Sequence, residues 1–251
     1  MKKTILLLSF VFLLSSCVPR KAPVTVPEDN AQPPEAESSF EYIDISAEQA
    51  LKLMQSNAQL VIIDVSPHYD KGHLPNSINY YVGDGSLDKA IPGLDKAKEY
   101  LVYCHVDSAA ILGAQKLIDA GFTKVKRLVG NYSGWVAKGY PVEIMLKAVG
   151  NYQGEGRAVR SFYDGVFTNA VLADLTDPAE GKFYEGWLVK QTPELEFFST
   201  GRMSKDADGK YELRYTAEEN KSEYNQVVIT EETLANGIDG IPEAHVLEGE
   251  F

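Results

Sequence analysis

Apolar and polar positions follow two different rhythms along this chain, and the change between them falls near residue 150. In the first half, Leu60-Val61-Ile62-Ile63-Asp64-Val65 and Tyr100-Leu101-Val102-Tyr103 are short continuous apolar runs. Runs of that length mark strands buried on both faces, as in a parallel sheet. Helical patterns lie between and after them. Ser46 is placed to cap a helix over residues 47–54, and residues 109–120 read as a second helix closed by Gly121. Residues 124–129 form a further strand. Strand and helix in alternation predict an α/β domain over residues 42–149, a parallel sheet flanked by helices.

Beyond Gly150 the helical patterns stop. Alternating, glycine-bounded runs take over at residues 166–175, 182–189, 195–200, 210–215, 226–230 and 245–247. Asp206-Ala207-Asp208-Gly209 has the composition of a hairpin turn between two of them. The pattern is that of a β-sandwich or an open barrel, and for residues 150–251 we expect an all-β sandwich domain.

Composition changes this picture little, but charge adds to it. A 44% hydrophobic and 24% charged chain of 251 residues is ordinary for folded domains. Lys and Arg number 24 against 36 Asp and Glu, a net charge of −12. Without a basic stripe such a chain is repelled by a phosphate backbone, so nucleic acid is not an expected partner. Charge divides along the same line as the hydrophobic rhythm. Residues 42–150 hold 11 acids and 11 bases, whereas residues 151–251 hold 20 acids and 9 bases.

The first 41 residues belong to neither rhythm. Met1-Lys2-Lys3 precedes an apolar run, Ile5 to Leu14, that falls well short of the roughly 20 residues a spanning helix needs. It reads as a signal peptide over residues 1–17, ending in Leu14-Ser15-Ser16-Cys17. That ending resembles a bacterial lipobox. The resemblance implies lipidation of the Cys17 thiol, membrane lipid as a partner, and a site in the bacterial cell envelope outside the cytoplasm. Residues 18–41 carry five prolines among polar residues and scarcely any apolar pairs, the composition of a disordered tether.

Only two cysteines are present, Cys17 and Cys104. With Cys17 lipidated, Cys104 has no disulfide partner, so it is either inert through burial or reactive by purpose. It follows an apolar strand directly and precedes a helix. The carboxyl end of a parallel strand is where ligands sit in open α/β sheets, and backbone N–H groups at a helix start favour a thiolate. Position alone leaves both readings open.

Several segments resemble the rhodanese-like sulfurtransferase family across residues 42–145. Ile62-Ile63-Asp64-Val65 is similar to its second-strand motif, and the segment from Tyr69 through Gly72-His73-Leu74-Pro75 to Asn79 to a following motif. Leu101-Val102-Tyr103-Cys104 resembles the strand that delivers its active cysteine, with Gly121-Phe122 at the family's usual spacing. Leu128-Val129-Gly130, Trp135 and Gly139-Tyr140-Pro141-Val142 resemble its closing segment. The resemblance implies a persulfide carried on Cys104, with His105, Val106, Asp107, Ser108 and Ala109 as the substrate-binding loop. It implies a small sulfur donor and a thiol acceptor as partners, and neither cofactor nor metal.

The match departs from the family at the residues that handle anions. Asp107 stands where glycine is usual, Ala109 where arginine or another polar residue is usual, and Ser66 where arginine often follows Asp-Val. Loss of arginine removes a bidentate anion clamp. A carboxylate beside a thiolate opposes its ionisation and repels an anionic donor, unless Asp107 instead caps the helix that follows. A neutral persulfide or polysulfide is therefore the expected donor. The alternative function is a catalytically inactive scaffold that binds a ligand or a protein.

Other candidates carry less. His105 adjoins Cys104, but neighbouring side chains leaving a strand diverge. His73 resembles the family's structural histidine, and neither His68 nor His245 has metal-ligand spacing. Tyr184–Val189, Ser199-Thr200-Gly201 and Val227–Glu232 resemble the extracytoplasmic β-sandwich of anti-sigma-K-type factors in short motifs. These imply a ligand-sensing or protein-binding module and no catalysis.

Overall fold

A computed structural model of the chain describes residues 41–251. The expected signal peptide, Cys17 and nearly all of the expected tether lie outside these residues. The first half of the described chain runs β1 (Ile43–Ile45), α1 (Ala47–Ser56), β2 (Val61–Asp64), β3 (Ser77–Asn79), α2 (Ser86–Ala90), β4 (Tyr100–Tyr103), α3 (Asp107–Asp119), β5 (Val125–Leu128) and α4 (Asn131–Ala137). Its strands form one all-parallel sheet in the order β1-β5-β4-β2-β3. The continuous apolar runs earn their burial: every residue of β4 is buried, because helices cover both faces.

Local chemistry fixes the helices. Ser46 and Gln49 form a reciprocal capping box at α1, with Ser46 N donating to Gln49 Oε1 at 2.8 Å and Gln49 N to Ser46 Oγ at 3.3 Å. In α3 the buried positions are Ala110, Gly113, Ala114, Leu117 and Ile118, a stripe at helical spacing. Gly113 lets that helix lie close on the sheet, since a Cβ there would sit 2.9 Å from Val65 Cγ1. Gly121 closes α3: its N–H donates to Ile118 O at 2.8 Å and that of Phe122 to Leu117 O at 3.0 Å, a Schellman ending.

The second half runs β6 (Val142–Ala148), β7 (Glu155–Tyr163), β8 (Val166–Asp174), β9 (Lys182–Lys190), β10 (Glu196–Arg202), β11 (Ser204–Lys205), β12 (Tyr211–Ala217), β13 (Gln226–Thr233) and β14 (Ala244–Glu250). All nine belong to one antiparallel sheet, ordered β10-β9-β13-β14-β6-β7-β8-β12-β11. The sandwich expectation gives way to a near-closed barrel. A twisted sheet this wide curls, and bulges at Ser199/Gly201 and Ile229/Thr230 sharpen the bend. The curl brings β10 toward β12, where the Phe198 and Tyr215 rings lie 5.4 Å apart. Inward residues such as Leu146, Phe167, Val171, Leu188, Ile229 and Leu247 fill the interior. At Asp206–Gly209 the chain makes the expected turn, with Asp206 Oδ1 accepting from the N–H groups of Asp208 and Lys210.

Strands β6 and β7 are not apparent in the hydrophobic rhythm, and β6 lies on the N-terminal side of the expected 149/150 boundary while pairing with β7 and β14. The described residues 41–251 lie in one compact unit. A two-way backbone bridge, His73 N to Glu143 O at 3.0 Å and Glu143 N to His73 O at 2.8 Å, joins the parallel-sheet half to β6. His73 is fully buried, with Nε2 3.3 Å from Glu143 Oε1 and its ring stacked on Tyr69, so its role is structural.

Gly139 is a second joint between the halves. Its φ is +69°, Phe162 N donates to its carbonyl at 2.9 Å, and a Cβ would sit 1.9 Å from Phe162 O. Gly139→Ala is therefore expected to lower stability by at least ~3 kcal/mol, combining left-handed strain with a backbone clash. Urea denaturation followed by tryptophan fluorescence checks it; a midpoint within error of wild type would remove this joint from the account.

Candidate functional site

Cys104 lies just past β4, the middle strand of the parallel sheet, at its carboxyl end. Its backbone is held on both sides by the start of α4. Cys104 N donates to Asn131 Oδ1 at 3.3 Å, and Tyr132 N donates to Cys104 O at 3.0 Å. Gly130 and Asn131 both take positive φ, which turns the chain from β5 into α4 and aims these groups back at residue 104.

The thiol is 2% exposed and packs in the apolar cluster containing Ile63, Val65 and Ala110. Burial pushes its pKa up; the main-chain N–H groups of Val106 and His105 work the other way, and the charge of Asp64 adds to the rise. The buried sulfur thus rests as a thiol near neutral pH, its main-chain surroundings offsetting burial only in part. Asp64 is itself fully buried. Burial raises its pKa against the Ser66 N–H that bonds Oδ1 at 2.8 Å, and Oδ2 has no hydrogen-bond partner.

The five expected loop residues divide. The helix begins at Asp107, two residues earlier than the pattern suggests, so His105 and Val106 form the loop while Asp107, Ser108 and Ala109 make the first turn of α3. Val106 and Ser108 are exposed and Ala109 half-buried. No side chain caps this helix start, so the capping reading of Asp107 does not hold. Residue 107 is already inside the helix, and its carboxylate reaches sideways instead. Asp107 Oδ1 accepts from Asn131 Nδ2 at 2.6 Å and from Arg127 Nη1 at 3.1 Å.

Arg127 and Asn131 are the residues that the sequence did not single out. Arg127 sits on β5, its side chain 9% exposed, and forks onto Asp44 through Nε at 2.7 Å and Nη2 at 2.6 Å. The hydrogen bonds and charge of Asp44 raise its already high pKa. The signal available was a cation at an inward position of a short strand, beside Lys126, which calls for a carboxylate partner. Arg127 offsets the Asp107 charge, but two carboxylates already occupy it.

His105 does not pair with Cys104 through its ring. The ring stacks on Tyr132 at 4.4 Å and tilts toward His68, 5.5 Å away, so the loops after β2 and β4 converge. Burial lowers the His105 pKa, with the His68 charge a lesser cause, and its Nε2 has no hydrogen-bond partner. Ser66 is fully buried and accepts from His68 N at 3.2 Å, so it serves the loop backbone. Among the described residues no three His, Cys, Asp or Glu side chains gather in a way that holds a metal ion.

Residues 46–138 match the rhodanese-like domain family. Thiosulfate sulfurtransferase GlpE of Coxiella burnetii is 31% identical over 98 residues, covering 38% of this chain and 89% of that protein. The chain belongs to the rhodanese-like family. Its rhodanese-like part is also 25% identical over 103 residues to thiosulfate sulfurtransferase GlpE of Glaesserella parasuis, covering 41% of this chain and 94% of that one. Among solved structures, the rhodanese-like domain of an Anabaena sp. protein is 25% identical, covering 41% of this chain and 80% of that chain with a TM-score of 0.38.

The raised thiol pKa has a direct consequence for the rhodanese-like site. Alkylation of native Cys104 by iodoacetamide is expected to be slow at neutral pH and still climbing where an unperturbed thiol, with a pKa of about 8.5, has levelled off. Asp64→Asn removes a charge that opposes the thiolate and is expected to speed alkylation about 2- to 10-fold at fixed pH. Rates followed by mass spectrometry decide this, and an unchanged rate in Asp64→Asn would separate the carboxyl from the thiol.

Proposed function

We propose that the protein is an extracytoplasmic, membrane-anchored sulfur-transfer protein in which Cys104 accepts a sulfane sulfur and carries it as a persulfide. The observation that carries this reading is the place of Cys104, just past the carboxyl end of the central strand and shortly ahead of the start of α3, with the main chain of His105 and Val106 favouring its ionised form. Membership of a family whose relatives are named thiosulfate sulfurtransferases agrees with it. In the transfer, the Cys104 thiolate attacks the outer sulfur of the donor, the donor's S–S bond breaks, and the leaving group departs with the bonding pair. The main-chain donors stabilise the charge on the sulfur that remains.

The surroundings favour a neutral persulfide or polysulfide over thiosulfate. The charge of Asp64 opposes the thiolate, and the guanidinium of Arg127 is held by Asp44 and Asp107. Treatment of the purified chain with polysulfide is expected to add sulfur mass that dithiothreitol removes, with thiosulfate far less effective. Cys104→Ser should take up none. Absence of any reducible adduct on a folded chain would end the proposal.

A second reading, a non-catalytic scaffold that binds a ligand or protein, draws on the 2% exposure of the thiol. It expects Cys104→Ser to leave every phenotype unchanged.

Anchoring rests on the lipobox-like Leu14-Ser15-Ser16-Cys17. Cells fed an alkyne fatty acid are expected to label the wild-type chain and to leave Cys17→Ser unlabelled and released from the membrane fraction. Equal labelling of both would exclude Cys17 as the acylated residue.

A further inference from the structure

The barrel carries a cavity of about 700 Å³ that the sulfur chemistry does not use. That volume lies within the ~300–1,000 Å³ range of small-molecule sites. The strand register builds it. On the outer face of the sheet Arg157 of β7, Leu172 of β8 and Glu212 of β12 stand in one cross-strand row. Val159, Ala170 and Arg214 stand in the next row, so the two arginines flank a floor of small and medium apolar side chains. Arg202, at the end of β10, lines the same cavity and stacks over Phe183 with its guanidinium carbon 4.7 Å from the ring centre, which fixes its direction.

The charge pattern is the unusual part. Residues 151–251 hold 20 acids and 9 bases, so a cation there meets a carboxylate readily. Four of the five lysines there do: Lys182, Lys190, Lys205 and Lys221 each form a salt bridge with a Glu or Asp, and Lys210 forms none. Among the described residues Arg157, Arg202 and Arg214 form none, and all three line this one cavity. Of its two acids, Glu143 is buried against His73, which leaves Glu212. Three guanidiniums of fixed planar shape around an apolar floor match carboxylate or phosphate groups borne on a carbon body.

We propose that this cavity binds a small organic polyanion, a molecule carrying two or more carboxylate or phosphate groups, through Arg157, Arg202 and Arg214. The site is separate from Cys104, so its occupancy does not depend on the thiol.

Isothermal titration of the purified chain at low ionic strength, with citrate and 3-phosphoglycerate as probes, tests it. Saturable binding of either probe is expected, and the tighter one shows whether carboxylate or phosphate is preferred. Arg157→Gln and Arg214→Gln should each weaken it about tenfold or more. Glu212→Gln removes the opposing charge and should tighten it several-fold. Cys104→Ser and Lys221→Gln, both away from the cavity, should leave it unchanged. All variants are checked by circular dichroism, and the exposed positions allow conservative replacement. Failure of both probes to bind at millimolar concentration would overturn the proposal. So would equal loss in Lys221→Gln, loss in Cys104→Ser, or indifference to the arginine replacements.

Discussion

The buried guanidinium of Arg127 is the contact on which the arrangement around Cys104 depends. It reaches Asp44 on one edge strand and Asp107 at the start of α3, and Asp107 in turn takes a hydrogen bond from Asn131, which holds the backbone N–H of Cys104. One side chain thereby links β1, α3, α4 and the cysteine loop. The guanidinium is the buried member and its two carboxylates are partly open to solvent, so loss of Asp44 or Asp107 leaves a desolvated cation short of its counter-charge. The same link settles the electrostatics of Asp107. Its carboxylate is neutralised from the side rather than used to cap the helix, so the site has neither a free acid at that position nor a free arginine.

That balance bears on the choice of sulfur donor. A cradle of main-chain N–H groups stabilises charge on sulfur without attracting anions from a distance, whereas an unpaired arginine does both. Here burial and Asp64 oppose the thiolate and two N–H groups favour it. On the proposed reading, the balance suits a thiol that ionises as a donor arrives.

The two halves are coupled more closely than their differing textures suggest. The His73–Glu143 bridge and the contact of Gly139 with Phe162 tie the parallel-sheet half to the first two barrel strands. The barrel's charge is not spread evenly either. Four of its lysines are paired with carboxylates, while three of its arginines face one cavity.

The parallel sheet, its capped helices and the place of Cys104 were legible in the sequence, because continuous apolar runs, Ser46, Gln49 and Gly121 act through local spacing. The alternating strands beyond residue 165 were legible for the same reason. Strands β6 and β7 were not, since their exposed ends and mixed polar positions blur the period and their pairing partners lie far along the chain. Sandwich against barrel was likewise undecided by alternation, which reports one buried face and is silent on whether a sheet curls onto itself or packs on another. The partners of Asp107 lie 20 and 24 residues away, and those of Arg127 include Asp44, 83 residues distant. Residue types and local spacing determined which groups are present and on which element; only the tertiary fold decided which charges meet, because pairing energy depends on distance and burial that the chain's linear order does not contain.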